Sequence, residues 1–310
     1  MISIGVLLID GFALMSYSSV IEPLRAANLL SEKKLYKIIN FSLNRTAKSS
    51  SNAIIDAQFI GNEKDKLDMV IVCAGGDPFL FNNIKVFDWL RKKSREGVTL
   101  VGVSGGPVIL VKAGLMDGKR MTLHWEHADT FREIWPNILL EKSLFVIDRK
   151  RITCAGGIAP LDLMFTLISN HHGESFARKV SDWFMHTEVR PSGGPQRSGI
   201  VERYNVNNSK IVSAIEIMEN NLSNTLSLKE ISEIVDISPR QLNRLFKKNL
   251  NKTTMDVYRK LRLELAQKLL KQSQFSITEI AFSCGFSSSS QFSQSFKEKF
   301  GVMPSQYKNL

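Results

Sequence analysis

The chain has 310 residues, 43% hydrophobic and 23% charged, with a formal net charge of +11. Such a composition belongs to a folded globular protein and excludes global disorder, and the length suits two domains. No run reaches the ~18 consecutive apolar residues of a membrane-spanning helix, and no membrane partner is expected.

The opening MISIGVLLIDGF has no basic segment and meets Asp10 early, so it reads as a first strand and not as a secretory signal. Cys73, Cys154 and Cys284 are odd in number and widely spaced, with no CxxC and no Cys/His cluster. Neither a disulfide framework nor a metal site is expected, and a cytoplasmic setting with buried thiols is.

Short apolar runs then alternate with helical patterns. Ile2–Ile9, Tyr36–Leu43, Met69–Cys73, Thr99–Val103, Leu144–Asp148 and Ile152–Ala155 read as strands. Pro23–Leu30, Phe79–Arg95, Gly106–Ala113, Trp125–Ile134, Leu161–Asn170 and Ser175–Phe184 read as helices. This alternation predicts an α/β unit around a mostly parallel sheet, and the apolar run MVIVC suits a strand buried on both faces. Arg190–Gly199 holds two prolines and three glycines, so it reads as a linker crossed by few contacts.

Beyond it the pattern is wholly helical, beginning with Asn208–Asn220. From Asn205 onward Lys and Arg number fifteen against nine Asp and Glu, so basic charge is denser there than in the preceding residues. A segment starting at Ser227 recurs about 49 residues later at Ser276. Each copy opens with a capping box, Ser227 with Glu230 and Ser276 with Glu279. Each continues through a short break into a second polar helix, carrying Leu242/Phe246 in one copy and Phe292/Phe296 in the other. The order short helix, tight turn, polar helix is a helix-turn-helix, here present twice.

The second helices carry groups that read base edges: Arg240, Asn243 and Arg244 in the first copy, Ser289, Ser290, Gln291 and Gln294 in the second. Lys247, Lys248, Lys297 and Lys299 suit phosphates. Between the copies, Leu261, Leu265 and Leu269 mark a helix over Thr254–Gln272. Its roughly 27 Å approaches the ~34 Å between successive major-groove faces.

This C-terminal segment resembles the AraC/XylS family DNA-binding domain over residues 208–310. The resemblance is carried by Ile280-Ala281, Cys284-Gly285-Phe286, Phe292, Phe296-Lys297, Phe300-Gly301, Pro304 and Tyr307. It implies double-stranded DNA as partner, with base contacts at the positions named above. The family often has an arginine at or near Gln294, so this chain implies a different base preference or weaker binding there.

In the first part, Gly102-Val103-Ser104-Gly105-Gly106 matches G-x-S-x-G, a nucleophile elbow between strand and helix. A serine hydrolase would also need an acid and then a histidine downstream. Asp162 followed by His171 or His172 has the order, on an apparent helix, but no HGGG-like segment precedes the elbow.

Residues 1–185 resemble the class I glutamine amidotransferase-like fold in its PfpI-like branch, a flavodoxin-like sandwich. The match rests on Ile21-Glu22-Pro23-Leu24-Arg25, Cys73-Ala74-Gly75-Gly76, the elbow, and Thr122-Leu123-His124-Trp125. Joined to an AraC-type domain, it resembles the GlxA family of regulators. Val180–Phe184 and Arg190–Arg197 look like the subgroup that senses arginine, carnitine or glycine betaine.

Enzymes of the PfpI-like branch use a cysteine at the elbow, where this chain has Ser104. A serine hydroxyl without a dedicated base is a poor nucleophile, so the resemblance implies a ligand pocket that has lost the chemistry. No catalytic residue and no cofactor are expected. The expected lining is Glu22, Gly75, Gly76, Asp77, Ser104, Gly105, His124, Trp125 and Glu126. Backbone amides at the glycine turns and the elbow would hold a carboxylate, while Glu22 or Glu126 and the Trp125 ring would face a cationic end, as suits a zwitterionic amine.

The expected organisation is a ligand-sensing domain over 1–187, a linker over 188–207 and a DNA-binding domain over 208–310. The resemblance also implies a homodimer, an activating role and contact with RNA polymerase. The rival reading is a Ser104-dependent hydrolase or amidase tethered to DNA.

Overall fold

The computed structural model describes residues 1–62 and 66–309, so Leu310, the end of the expected DNA-binding segment, lies outside the described residues. The chain divides into two compact units. One holds Met1–Ala128 and Trp135–Gln196, the other Asp129–Ile134 and Arg197–Leu310.

The first unit begins β1 (Ile2–Leu8), α1 (Leu14–Leu30), β2 (Tyr36–Ser42), β3 (Thr46–Lys48), β4 (Ile54–Asp56), β5 (Gln58–Phe59) and β6 (Met69–Ala74). Then come α2 (Ile84–Arg95), β7 (Thr99–Ser104), α3 (Gly106–Lys112), β8 (Arg120–Met121), α4 (Trp125–Ile134), β9 (Leu139–Leu140), β10 (Phe145–Asp148) and β11 (Arg151–Cys154). The helices α5 (Ala159–His172) and α6 (Glu174–Trp183) follow. Seven strands form one sheet in the order β10-β11-β7-β6-β1-β2-β5, parallel except for the β10–β11 pair.

Helices α1, α5 and α6 pack together on one face, while α2 and α3 contact each other and lie on the other. Alternate residues of the central strands, such as Val6, Ile71, Val101 and Ile152, form one core with α1 and α5. The expected flavodoxin-like sandwich with a mostly parallel sheet is therefore the fold observed.

Two helix boundaries differ from expectation. Helix α1 starts at Leu14, nine residues before Pro23, which sits buried inside it. Proline usually breaks a helix by removing one amide donor and crowding the preceding turn. Here the apolar face of α1, packed on the sheet, outweighs that cost. Helix α2 starts at Ile84, because the Asn83 side chain caps the Val86 amide and the preceding residues form a turn.

The proline- and glycine-rich segment has no helix or strand, as expected, yet it is not a bare linker. Arg190 donates to the buried Asp162 carboxylate from its backbone amide (2.9 Å), Nε (3.1 Å) and Nη2 (2.6 Å). Leu144 donates its amide to Ser192 O (2.7 Å). Gln196 Nε2 donates to Thr122 Oγ1, Leu123 O and Ser143 O, and its Oε1 accepts from Trp125 N (2.8 Å). Residues 190–196 thus form a strap on the first unit, because their polar side chains replace the backbone ladder that proline and glycine deny.

The second unit contains α7 (Ile200–Tyr204), α8 (Ser209–Asn220), α9 (Leu228–Ile234), α10 (Pro239–Leu250), α11 (Thr254–Gln272), α12 (Ile277–Ser283), α13 (Ser289–Phe300) and α14 (Pro304–Lys308). It has two cores. Leu242 and Phe246 pack with Ile211, Ile215, Ile231 and Leu261 in the first, and Phe292 and Phe296 with Leu265, Leu269 and Ile280 in the second. Helix α11 is shared by both, which is the spacer role its leucines predict.

Both capping boxes are formed. Ser227 N donates to Glu230 Oε2 (2.7 Å) and Ser276 N to Glu279 Oε2 (2.6 Å), with the reciprocal amide-to-hydroxyl bonds at 3.2 Å. The amides and hydroxyls of Ser227 and Ser276 hold both carboxyls below the ordinary glutamate value of 4.5. A depressed carboxyl contributes stability that is present above its unfolded value and lost as pH falls through its folded one. Urea unfolding of the full chain between pH 5 and pH 3 should show a loss that the double variant E230Q/E279Q reduces. An unchanged pH slope in that variant would remove the caps from this account.

Candidate ligand site and nucleic-acid interface

The elbow is formed as its spacing predicts. Ser104 ends β7 with φ +59°, a left-handed conformation that a non-glycine residue adopts at some cost. Glycines surround it because backbones crowd there. A Cβ on Gly106 would stand 2.1 Å from Val72 O, and one on Gly156 would stand 2.9–3.1 Å from the Cα, Cβ and Oγ of Ser104. The β6–β7 register pairs Ala74 with Ser104, so Gly75, Gly76 and Asp77 leave the sheet beside the elbow. The structure thus brings together Gly75, Gly76, Asp77, Ser104 and Gly105 at the ends of β6 and β7, with Gly156 from the end of β11.

Asp77 is the acid of this group. Burial pushes its carboxyl up from the ordinary range, against the Phe79 and Leu80 amides and the Lys112 charge, which hold it down. His124, Trp125 and Glu126 sit at the start of α4, where His124 Nδ1 accepts the Glu126 amide (3.2 Å). The two groups of residues approach through Phe79, two positions after Asp77, whose ring meets His127 edge-on at 5.5 Å.

Two expected roles are not what the structure shows. Glu22 lies eight residues after Leu14, the start of α1, and pairs with Arg25 at 2.7 Å, its side chain partly exposed. The α1 residue turned toward the strand ends is Ser16, fully buried, with its hydroxyl donating to Gly157 O (3.3 Å). Sequence reading missed Ser16 because Pro23 obscured the first half of α1. Of the elbow amides expected to hold a carboxylate, that of Gly105 already donates to Ala74 O (2.9 Å).

No cysteine stands at the elbow. Cys73 of β6 and Cys154 of β11 flank Val103 of β7 on either side, and burial pushes both thiols up to about 12. They are inert thiols, not poised thiolates. Asp162, the acid that a serine hydrolase would need, is fully buried and occupied by Arg190 and His186. His171 is bonded instead to the Tyr36 hydroxyl (3.0 Å). The histidine that meets the Asp162 carboxylate is therefore His186, at 3.1 Å, and not His171.

In the second unit, α10 exposes Arg240, Arg244, Lys247 and Lys248, and no acid occurs between Pro239 and Leu250. Asn243 is turned inward: its Oδ1 accepts the Thr254 amide (3.0 Å) and so joins α10 to the start of α11. On α13, Ser290, Gln291, Gln294 and Lys297 are exposed and Ser289 is half-buried. Lys299 is not a phosphate contact, because its ammonium turns back to Lys260 O (3.0 Å) and Glu264 (3.2 Å). From α11, Arg262 donates to Cys284 O (2.7 Å) and Gly285 O (2.9 Å), and its guanidinium lies 4.2 Å from the Phe286 ring centroid. It fastens the turn of the second motif, a role sequence spacing does not show. Among the described residues no helix is long and apolar enough to cross a membrane.

Comparison with known proteins agrees with both halves. Residues 3–170 match the DJ-1/PfpI family, and residues 231–309 match a helix-turn-helix domain. Over 303 residues the chain is 40% identical to the HTH-type transcriptional regulator GlxA of Rhizobium meliloti (strain 1021), covering 97% of this chain and 94% of that protein. It is 39% identical over 301 residues to the HTH-type transcriptional regulator CdhR of Pseudomonas aeruginosa, covering 97% and 89%. The crystal structure of an AraC family transcriptional regulator from Pseudomonas putida shares the fold, with a TM-score of 0.55 at 22% identity, covering 59% of this chain and 100% of that one. This chain joins a DJ-1/PfpI unit to a helix-turn-helix unit, and at this identity over nearly its whole length it belongs with these relatives to the GlxA-type family of HTH-type transcriptional regulators.

Proposed function

We propose that this regulator binds double-stranded DNA through α10 and α13, under the control of a small zwitterionic amine held at the strand ends of its first unit. The observation that carries the DNA half is the α10 surface: four exposed cations and no acid, on a helix fixed by a capped N-terminus and a buried Leu242/Phe246 face. Arginine reads guanine bidentately, and lysine neutralises phosphate. In this reading Arg240, Arg244 and Lys247 contact DNA from α10, and Ser290, Gln291, Gln294 and Lys297 from α13, with Ser289 at the margin. Asn243 positions α10 and does not read bases.

The sensing half rests on Asp77, half-buried at the strand ends, and on His124, Trp125 and Glu126 across from Phe79. A carboxylate raised by burial gains from a cationic ligand that neutralises it. Residues 1–187 with the strap to Gln196 form the sensor, and 208–310 the DNA-reading part. The regulator acts in the cytoplasm as a homodimer, and the ligand shifts how two protomers present their motifs, which requires different affinities for the two arrangements. Activation through RNA polymerase fits this arrangement.

Two experiments test the halves separately. Arg244→Ala should weaken binding to one sequence and relax preference at one position, by about 1–3 kcal/mol, whereas Lys247→Ala should weaken binding to all sequences and lower the salt slope by about 1. Equal affinities for both variants and the parent would overturn the α10 assignment. For the sensor, thermal unfolding of the full chain is followed with arginine, carnitine, glycine betaine, dimethylglycine and polyamines. A ligand at about 100 times its dissociation constant adds roughly 2.7 kcal/mol. A flat panel would overturn the amine assignment and leave the DNA half standing.

A further inference from the structure

The two reading helices differ in chemistry far more than two copies of one motif need to. Helix α10 presents Arg240, Arg244, Lys247 and Lys248 with no acid on the helix. Helix α13 has Lys297, Glu298 and Lys299 as its charges, and Lys299 is turned away onto Lys260 O and Glu264. Exposed Lys297 is then offset by exposed Glu298, so the α13 surface is close to neutral. What it offers instead are hydroxyls and amides. Gln291 Oε1 accepts from the Ser287 hydroxyl (2.9 Å), and Gln294 Nε2 donates to Glu298 Oε1 (3.1 Å). Beside them runs an open groove of about 600 Å³ lined by Ile277, Thr278, Ser293 and Met303 as well as α13's reading residues.

We infer that the two motifs divide the operator by chemistry: α10 anchors a guanine-bearing half-site, and α13 reads an A·T-rich half-site with little electrostatic help. This rests on the DNA-binding reading above. Arginine is matched to the paired acceptors of guanine, O6 and N7, which glutamine does not favour. Glutamine is matched to adenine, whose N6 donates and N7 accepts. Gln294 makes that exchange by releasing Glu298, giving its Nε2 to N7 while its Oε1 accepts from N6. Serine hydroxyls suit either edge, and the apolar side chains of Ile277 and Met303 on the groove suit the thymine methyl group. Helix α13 has short serines at its start, so its backbone can approach the bases closely.

The charge asymmetry has its own consequence. Counterion release scales with the phosphates neutralised, so the salt dependence of binding resides mainly in α10. Changing the first half-site or its lysines should alter affinity and salt slope together, whereas changing the second half-site should alter affinity and leave the slope nearly constant.

The test is selection from a randomised duplex pool with the full chain, repeated with Arg244→Ala and Gln294→Arg. The parent should enrich two half-sites about 34 Å apart, one turn of DNA, with guanine in one and A·T pairs in the other. Arg244→Ala should relax the guanine position alone. Gln294→Arg should introduce guanine at one position of the A·T half, roughly ten- to hundred-fold over adenine, and leave the other half unchanged. Guanine in both parental half-sites, or both variants acting on the same half, would overturn the division while leaving DNA reading intact. Failure to enrich any sequence would remove the DNA-binding reading and this inference with it.

Discussion

Gly106→Ala should destabilise the first unit by about 3 kcal/mol or more, beyond the usual overpacking cost of ~1–3 kcal/mol. The added methyl would stand 2.1 Å from Val72 O and 3.0 Å from Val72 C, and these are backbone atoms. Val72 is the centre of β6, paired with Leu7 on one side and Gly102 on the other, so it cannot retreat without breaking two ladders. The alternative is for α3 to move away, which displaces Ser104 and opens the strand ends. For a unit of this size the loss should read as a fall of roughly 6–12 °C in Tm. Gly193→Ala is the matched control, since its Cβ would meet nothing within 4 Å and its φ is not positive. Calorimetry of the full chain with both variants is the check. A Gly106→Ala protein within about 0.5 kcal/mol of the parent would mean that the elbow is looser than its geometry.

The second large effect belongs to Arg262. Its side chain gives two charge-assisted hydrogen bonds to the carbonyls that end α12 and stacks on Phe286. Each such bond contributes about 1.5–3 kcal/mol when both partners are sheltered, and a partly desolvated cation–π contact adds ~1 kcal/mol. Arg262 is not fully buried, so Arg262→Ala should cost about 3 kcal/mol in total. The loss should fall on the second motif, because Cys284 and Phe286 belong to its core and the first motif has a core of its own. DNA binding should weaken although Arg262 is not among the DNA-facing residues, and the A·T half-site should lose its preference first. Arg262→Lys keeps the charge but not the planar fork, so it should recover only part of the loss. Hydrogen exchange resolved along the chain separates the motifs. Equal deprotection of α9–α10 and α12–α13 in Arg262→Ala would contradict the local role.

Much of the fold was legible because its signals are local or periodic. Strands β1, β6 and β7 are apolar runs bounded by turn residues, and the capping boxes at Ser227 and Ser276 mark helix starts by chemistry alone. The elbow was legible because Gly102, Gly105 and Gly106 occur where three backbones crowd around one serine. What escaped depends on partners distant in sequence. Pro23 hid the first half of α1, and with it Ser16, because only packing on the sheet shows that the helix continues through proline. The strap at Arg190–Gln196 reads as a linker by composition, yet Asp162 and the carbonyls around Leu123 and Ser143 hold it. Asn243 and Lys299 have the residue types of DNA contacts, but Thr254 N claims one and Glu264 the other. Residue type at helical spacing fixes which face is polar; it does not tell whether a neighbour has already taken the polar group.

The most direct measurement is a titration of the full chain, at near-physiological salt, against a duplex that it has enriched from a random pool and against a scrambled duplex of the same composition. The enriched duplex should bind at least ~10³-fold more tightly, the range of specific over non-specific recognition, and Arg244→Ala should remove much of that ratio. Equal affinity for the two duplexes, falling together as salt rises, would mean that the basic surface holds DNA without reading it, and would contradict the account.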